Sequence, residues 1–292
     1  MVEFIRKVIF LKIQITDESF VCSKIPQREP NTHKGDYGRI LLLCGSKGFS
    51  GAASLAANGA LRTGAGVVYL AVPESIYIIE AVKVTEAVVL PFRDQNGMFS
   101  EEAWEQIASL LPKMDAVLIG PGIGKSFGSF SVVQYVLQNA LCPVVLDADG
   151  INVLEGHTDI LRERTAPTIL TPHAGEFRTA FGFLPDDREK SAVQMAKDFG
   201  CIILLKGHKT LITDGDVCFE NHTGNAGMAK GGSGDVLSGI ITALVGQKLS
   251  ALDAAICGAW IHGRAGDICR DEIGMYGMLP GDMICVLPRL LP

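Results

Sequence analysis

Along this chain, short runs of consecutive apolar residues alternate with longer stretches in which apolar positions recur at helical spacing. RILLLCG, VVYLAV, DAVLIG, PVVLDADG, TILTP and CIILLK are nearly continuous in apolar character, as expected of strands buried on both faces of a parallel sheet. Between them lie Ala/Leu-rich segments such as Gly51 to Thr63, which predict helices. The rhythm is that of an α/β fold, a mostly parallel central sheet flanked by helices. TLITD and VCFE, separated by Gly215 and Asp216, predict a small antiparallel hairpin attached to that sheet. Glycine, proline and polar residues gather where the strands end, in GSKGFSG, GPGIG, DADG, TPHAGE and KGHKT. In an open α/β sheet ligands bind beyond the carboxyl ends of the strands, so these loops are expected to converge on one crevice. No stretch rich in Pro, Ser or charge divides the chain, and a single domain over residues 1–292 is expected.

Composition narrows the partners. A formal charge of −6 without a basic stripe argues against nucleic acid or an anionic membrane as the main partner. Eight cysteines form no CxxC pair, and several sit inside apolar runs, so they read as buried free thiols of a reducing compartment. The opening MVEFIRKVIFLKIQI is apolar, but Arg6, Lys7 and Lys12 interrupt it and no small-residue cleavage site follows. Neither export nor membrane spanning is indicated, and a cytoplasmic location is expected.

The most informative stretch is NAGMAKGGSGDVLSG, Asn225 to Gly239. Its glycines bring bare N–H groups to a ligand, and Val236, Ile240, Ala243 and Leu244 then follow at helical spacing. The turn therefore opens a helix, where unpaired amides and the macrodipole favour an anion. Gly232, Ser233 and Gly234 are the expected anion hole. Asp235 beside it can accept a proton from an attacking hydroxyl. The alternative is a helix cap without chemistry, supplied by Ser233 or Asp235.

GPGIGKS, Gly120 to Ser126, follows a strand-like run but is one residue short of the Walker A spacing, and Lys125 stands where a dinucleotide fingerprint needs its last glycine. A ligand-binding turn remains the better reading. Lys206, Gly207, His208, Lys209 and Thr210 offer amides, a hydroxyl and two ammonium groups at a strand end, suited to a nucleotide phosphate or ribose; a solvated turn is the plain alternative. In TPHAGEF, His173 can bind a ligand and Glu176 can hold Mg²⁺ through water, against ordinary local hydrogen bonding. Asp147 and Asp149 can orient a polyphosphate site, with helix capping the competing role for Asp149. The Ala/Gly run after Gly51 suits close helix packing, while its first turn, Gly51 to Ala53, can touch a ligand through the backbone. His262 and Asp267 read as packing or interface residues, and AAICGAWIHG suits either a subunit interface or the core.

In order along the chain, HKGDYGRILLLCGS, GAASLAANGALRTGAGVVYLAVP, GPGIGKS, VLDADGINVL, TPHAGEF, LLKGHKT and NAGMAKGGSGDVLSGIITAL resemble the ADP- or ATP-dependent NAD(P)H-hydrate dehydratase family, from about Lys34 onward. The resemblance implies a ribokinase-like fold. It further implies repair of the 6-hydroxy adducts NADHX and NADPHX, with ADP or ATP consumed as co-substrate, Mg²⁺ as cofactor, and AMP and phosphate formed when ADP is the donor. Asp235 matches the family's active-site aspartate. Ala52, Gly122, His173 and Asp235 correspond to hydrate-contacting positions, and Lys206 to Thr210 with Gly234 to nucleotide-contacting ones. Relatives suggest a homotetramer. The stretch before Lys34 is too short for the epimerase domain fused in many bacterial relatives, so a separate epimerase is the expected functional partner. Two other functions compete: a kinase of the same fold acting on a small alcohol (a sugar, hydroxymethylpyrimidine or thiazole alcohol), and a nucleotide-binding sensor without turnover. TPHAGEF with GPGIGKS favours the dehydratases over the kinases, and the glycine turn kept together with Asp235 argues against the sensor.

Overall fold

The computed structural model describes residues 11–292; residues 1–10, which carry most of the apolar opening stretch, lie outside it. Its strands are β1 (Ile13–Ile15), β2 (Arg39–Leu43), β3 (Val67–Pro73), β4 (Val88–Phe92), β5 (Asp94–Gln95), β6 (Met98–Phe99), β7 (Ala116–Ile119), β8 (Val144–Leu146), β9 (Thr168–Leu170), β10 (Ile202–Leu205), β11 (Thr210–Thr213) and β12 (Cys218–Asn221). The α-helices are α1 (Glu18–Lys24), α2 (Ser50–Arg62), α3 (Tyr77–Lys83), α4 (Trp104–Leu110), α5 (Phe127–Asn139), α6 (Asp149–Asn152), α7 (Ala174–Phe181), α8 (Arg188–Phe199), α9 (Ser233–Gly246), α10 (Ala251–Glu272) and α11 (Pro280–Val286).

Ten strands form one sheet in the order β1-β12-β11-β10-β9-β8-β7-β2-β3-β4. From β4 across to β10 every pairing is parallel, which demands crossovers through helices and buries both faces. The six apolar runs anticipated as strands are β2, β3, β7, β8, β9 and β10, and each has a continuous buried stretch. β11 runs antiparallel to both β10 and β12, so the expected hairpin is present and extends the parallel sheet. β5 and β6 make a separate two-stranded ribbon.

One apolar layer packs on each face of the sheet. α9 lies at the centre of one layer and is buried from Val236 to Gly246. It approaches α2 closely because both helices present glycine at the contact: a Cβ on Gly59 would lie 2.9 Å from the Val236 carbonyl, and one on Gly239 would lie 2.2 Å from the Ala56 carbonyl. The run Ala254 to Ile261 of α10 is buried against this layer, so its apolar side chains fill the chain's own core. All eight cysteines are free; Cys22 and Cys285 are exposed and Cys142 is half-buried, so the expectation of buried thiols holds for the other five. Among the described residues no helix is long and apolar enough to cross a membrane.

The strand order reverses beside β2: the chain proceeds outward through β3 to β4 on one side, then returns to β7 and continues through β8, β9 and β10 on the other. Such a reversal opens a crevice at the carboxyl ends of the two strands that flank it, because their crossovers leave in opposite directions. Here those strands are β2 and β7.

Candidate active site

The loops leaving β2 and β7 are fastened together across this crevice. Gly45 N–H donates to the Pro121 carbonyl at 2.7 Å, and the Ser46 hydroxyl donates to the Gly122 carbonyl at 2.7 Å. Gly122 has a φ of +65°, and a Cβ there would lie 2.9 Å from the Ala52 Cβ. The two expected hydrate-contacting positions Ala52 and Gly122 thus meet, in the first turn of α2 and the GPGIGKS turn.

The end of β8 adds two carboxylates. Ala148 between them adopts φ 49° and ψ −118°, a conformation costly for a residue with a Cβ. Asp149 accepts from Gly124 N–H at 3.0 Å. It is the first residue of α6 and not its cap, so it holds the glycine turn. Asp147 is buried, and its Oδ1 accepts from Thr171 Oγ1 at 2.8 Å and from Lys206 Nζ at 2.8 Å. Lys206 Nζ also lies 3.4 Å from Glu176 Oε2. Burial acts to lower the proton affinity of Lys206, but Asp147 and Glu176 outweigh it and raise the pKa above the usual lysine value. The side chain remains an ammonium between two carboxylates.

His173 is the N-cap of α7. Its Nδ1 accepts from Gly175 N–H at 3.0 Å and Glu176 N–H at 3.1 Å, while Glu176 Oε2 accepts from His173 N–H at 2.8 Å. This reciprocal cap commits Nδ1 as an acceptor, so Nε2 carries the proton of the neutral ring. The imidazole is otherwise exposed, with Nε2 3.4 Å from Glu176 Oε1.

α9 completes the site. Gly232 is its N-cap at φ 96°, and Ser233, Gly234 and Asp235 form the first turn. Neither Ser233 nor Asp235 caps the helix: Ser233 Oγ donates to the Met228 carbonyl at 2.8 Å. Ser233 N–H donates to the Lys230 carbonyl at 3.3 Å, whereas the amides of Gly234 and Asp235 have no protein acceptor among the described residues. Those two amides are the open part of the anticipated anion hole. A Cβ on Gly234 would lie 3.4 Å from Lys206 Nζ and 3.7 Å from Asp147 Oδ2, which places the helix terminus against the lysine and carboxylate cluster. Burial, and then the Asp147 charge, push the Asp235 carboxyl up to about 7; Lys206 acts against them, and Glu176 and Asp149 add to the rise. A carboxyl poised near neutrality beside unpaired amides suits proton transfer coupled to anion handling.

Of the KGHKT residues only Lys206 joins the cluster through its side chain. Lys209 Nζ turns to Glu220 Oε1 at 3.6 Å, Thr210 Oγ1 donates to the Gly207 carbonyl at 3.1 Å, and Gly207 and His208 are exposed. Glu176 has one oxygen on Lys206 and the His173 amide and the other 3.4 Å from His173 Nε2. Among the described residues no group of three or more His, Cys, Asp or Glu is placed to chelate a metal.

Sequence reasoning passed over three contributors. Thr171, which anchors Asp147, occupies the last position before Pro172 at the strand end, and that placement was its only signal. Asp267, read as a packing or interface residue, accepts from Gly224 N–H at 2.9 Å and Asn225 Nδ2 at 3.1 Å and so holds the start of the glycine loop. His262 is buried with Nε2 unpartnered, close enough to Ser233 for that residue's main chain to influence its titration.

A family model described as NAD(P)H-hydrate dehydratase matches residues 40–289. The chain belongs to the NAD(P)H-hydrate dehydratase family. The ADP-dependent (S)-NAD(P)H-hydrate dehydratase of Bacillus subtilis is 33% identical over 288 residues, covering 96% of this chain and 98% of that protein. The bifunctional NAD(P)H-hydrate repair enzyme Nnr of Moorella thermoacetica is 40% identical over 276 residues, covering 92% of this chain and 52% of that protein. The chain thus spans about half the length of the bifunctional relatives it matches. The crystal structure of the Bacillus subtilis ADP/ATP-dependent NAD(P)H-hydrate dehydratase, co-crystallised with ATP and Mg²⁺, superposes with a TM-score of 0.81 at 32% identity, covering 95% of this chain and 97% of that one. A ribokinase-like superfamily protein of Enterococcus faecalis, 24% identical with a TM-score of 0.84 over 95% of this chain and 94% of its own, shares the fold. This NAD(P)H-hydrate dehydratase family member is accordingly ribokinase-like in architecture.

Proposed function

We propose that this protein dehydrates the S-epimers of NADHX and NADPHX to NADH and NADPH, consuming ADP or ATP, with AMP and phosphate as products when ADP is the donor. The observation that carries the reading is Asp235, a half-buried carboxyl pushed up to about 7, set in the first turn of α9 beside the open amides of Gly234 and Asp235. Ala52, Gly122 and His173 hold the hydrate in the crevice beside β2 and β7, so that its 6-hydroxyl faces Asp235. Gly234 and the 206–210 loop hold the nucleotide. Asp235 takes the hydroxyl proton as the oxygen attacks the terminal phosphorus, and the amides stabilise the charge on the transferring group. The phosphorylated hydroxyl is then a good leaving group; loss of phosphate from C6 and of a proton from the adjacent carbon restores the dihydronicotinamide ring. Mg²⁺, when bound with the nucleotide, would neutralise charge on the polyphosphate, and Glu176 is the residue that would hold it, through water.

The residues do not distinguish ADP from ATP; similarity to an enzyme named ADP-dependent favours ADP. Cytoplasmic action fits the substrates, which are damaged forms of soluble nicotinamide cofactors, and an epimerase activity supplies the S-epimer. A homotetramer would cover apolar side chains exposed on α3, Ile78 and Val82 among them.

The test incubates the purified protein with NADHX, Mg²⁺ and either ADP or ATP, following the absorbance of the restored dihydronicotinamide and counting nucleotide products. No recovery with either donor rejects the assignment. Accumulation of a phosphorylated alcohol in place of free phosphate would replace it with a kinase.

A further inference from the structure

Arg188, the first residue of α8, reaches under the loop between β10 and β11. Its Nη1 donates to the His208 carbonyl at 2.8 Å and its Nη2 to the Leu205 carbonyl at 3.0 Å, with the Lys209 and Lys206 carbonyls each at 3.5 Å. Among the described residues no carboxylate forms an ion pair with it, so its recorded hydrogen bonds all go to main-chain carbonyls of this one loop. A planar fork of donors suits such a set.

The consequence concerns the other side of each peptide. In a trans peptide the N–H points opposite to the preceding carbonyl. With the Lys206 and His208 carbonyls turned to Arg188, the amides of Gly207 and Lys209 face away from it, and neither has a protein acceptor among the described residues. The direction is marked by the peptide before them: its carbonyl, Leu205, meets Arg188, while its amide, Lys206 N–H, donates at 2.8 Å to Pro172 O, beside the His173 cap of α7. Lys209 sits at φ 58°, a region costly for a residue with a side chain, and its carbonyl is one of those turned to the guanidinium.

We infer that Arg188 is a positioning residue for the nucleotide: by occupying the loop's carbonyls it aims the Gly207 and Lys209 amides at a nucleoside polyphosphate. The inference rests on the proposed nucleotide-coupled reaction, in which this loop takes the co-substrate. A fixed cation beneath the loop also makes the potential above it more favourable for a polyanion.

Calorimetric titration of ADP alone into the wild type, Arg188→Met and Arg188→Lys provides the test, followed by steady-state kinetics with NADHX. Arg188→Met is expected to weaken ADP binding by about 10- to 100-fold, the size of effect that misplacing a binding group produces. The KM for nucleotide rises in step, while the KM for NADHX and the kcat at saturating nucleotide stay within about two-fold, since Arg188 contacts neither the hydrate site nor Asp235. Arg188→Lys, which keeps a charge and some donors, is intermediate. ADP affinity within two-fold of wild type in both variants overturns the inference, as does a loss shared equally by the hydrate and the nucleotide. Should Arg188→Met fail to fold, Arg188→Lys carries the same comparison at smaller amplitude. A wild type that binds ADP but restores no dihydronicotinamide removes the proposed reaction and leaves the Arg188 comparison readable.

Discussion

Replacing Asp235 by Asn is expected to make the protein more stable while nearly abolishing its turnover. The carboxyl rises from 3.8 to about 7 on folding, first through burial and then through the Asp147 charge. At about 1.4 kcal/mol per unit, this difference is worth up to about 4 kcal/mol. The side chain keeps partial solvent access, so about 2–4 kcal/mol is the reasonable range. The sign follows from linkage: the folded state holds the proton more tightly, so the associated stability is complete below about pH 4 and is lost as pH rises through about 7. Asn cannot ionise and escapes that loss. In denaturant titrations of the ligand-free protein, the stability of Asp235→Asn relative to wild type should climb steadily between about pH 4 and pH 7 and then level off. Turnover should fall by about 10²- to 10⁴-fold with nucleotide binding retained. In wild type, kcat/KM should decline below about pH 7, where the free enzyme's base is protonated. A stability difference that does not change with pH refutes the raised carboxyl, and undiminished turnover refutes its role as base.

Other perturbations bear on separate parts of the site. Lys206→Met leaves Asp147 and Glu176 without their cation and should cost about 3–5 kcal/mol in equilibrium unfolding; because Lys206 holds the Asp235 pKa down, the acid limb of the rate profile should also move to higher pH. Gly234→Ala adds a methyl with room beside Lys206 Nζ and Asp147 Oδ2, so the fold should survive within about 1 kcal/mol while the nucleotide KM rises at least about 10-fold; an unchanged KM would show that the phosphate lies elsewhere. Gly120→Ala would put a Cβ 1.8 Å from the Asp147 carbonyl at φ 135° and is expected to yield little folded protein, read from its circular dichroism and solubility. His262, pushed down to about 4 by burial and by Lys206, has the opposite sign to Asp235: its stabilising neutral form is lost as pH falls from about 6.5 to about 4, worth up to about 3 kcal/mol. His262→Leu should flatten that acid sensitivity, and an equal slope in both proteins would refute it.

Much of this architecture was legible because an unbroken apolar run reports a strand buried on both faces, as β2, β7, β8, β9 and β10 are. β2, β3, β7, β8, β9 and β10 were therefore visible, as was the hairpin of β11 and β12, while β4, whose apolar run VVLPF is broken by a proline and stays mostly exposed or half-buried at the sheet edge, was not singled out, and the two-residue strands β5 and β6 are too short to carry a pattern. At the site, the open amides at the start of α9 were legible because a glycine-rich turn precedes an apolar run at helical spacing. The pairing of Lys206 with Asp147 was not, since the two are 59 residues apart and meet only through the strand order β8-β9-β10. The role of Asp149 was hidden for the same reason: capping is a local inference, whereas its hold on Gly124 crosses from β8 to β7.

The glycine contacts that bring α2 and α9 together tie the N-terminal end of α9 to a fully buried layer of the interior. Loosening that end requires opening the layer around it, unlike a site carried on a hinged flap. Heat inactivation should consequently run alongside melting of the whole molecule, with no temperature interval in which an intact body has already lost its chemistry.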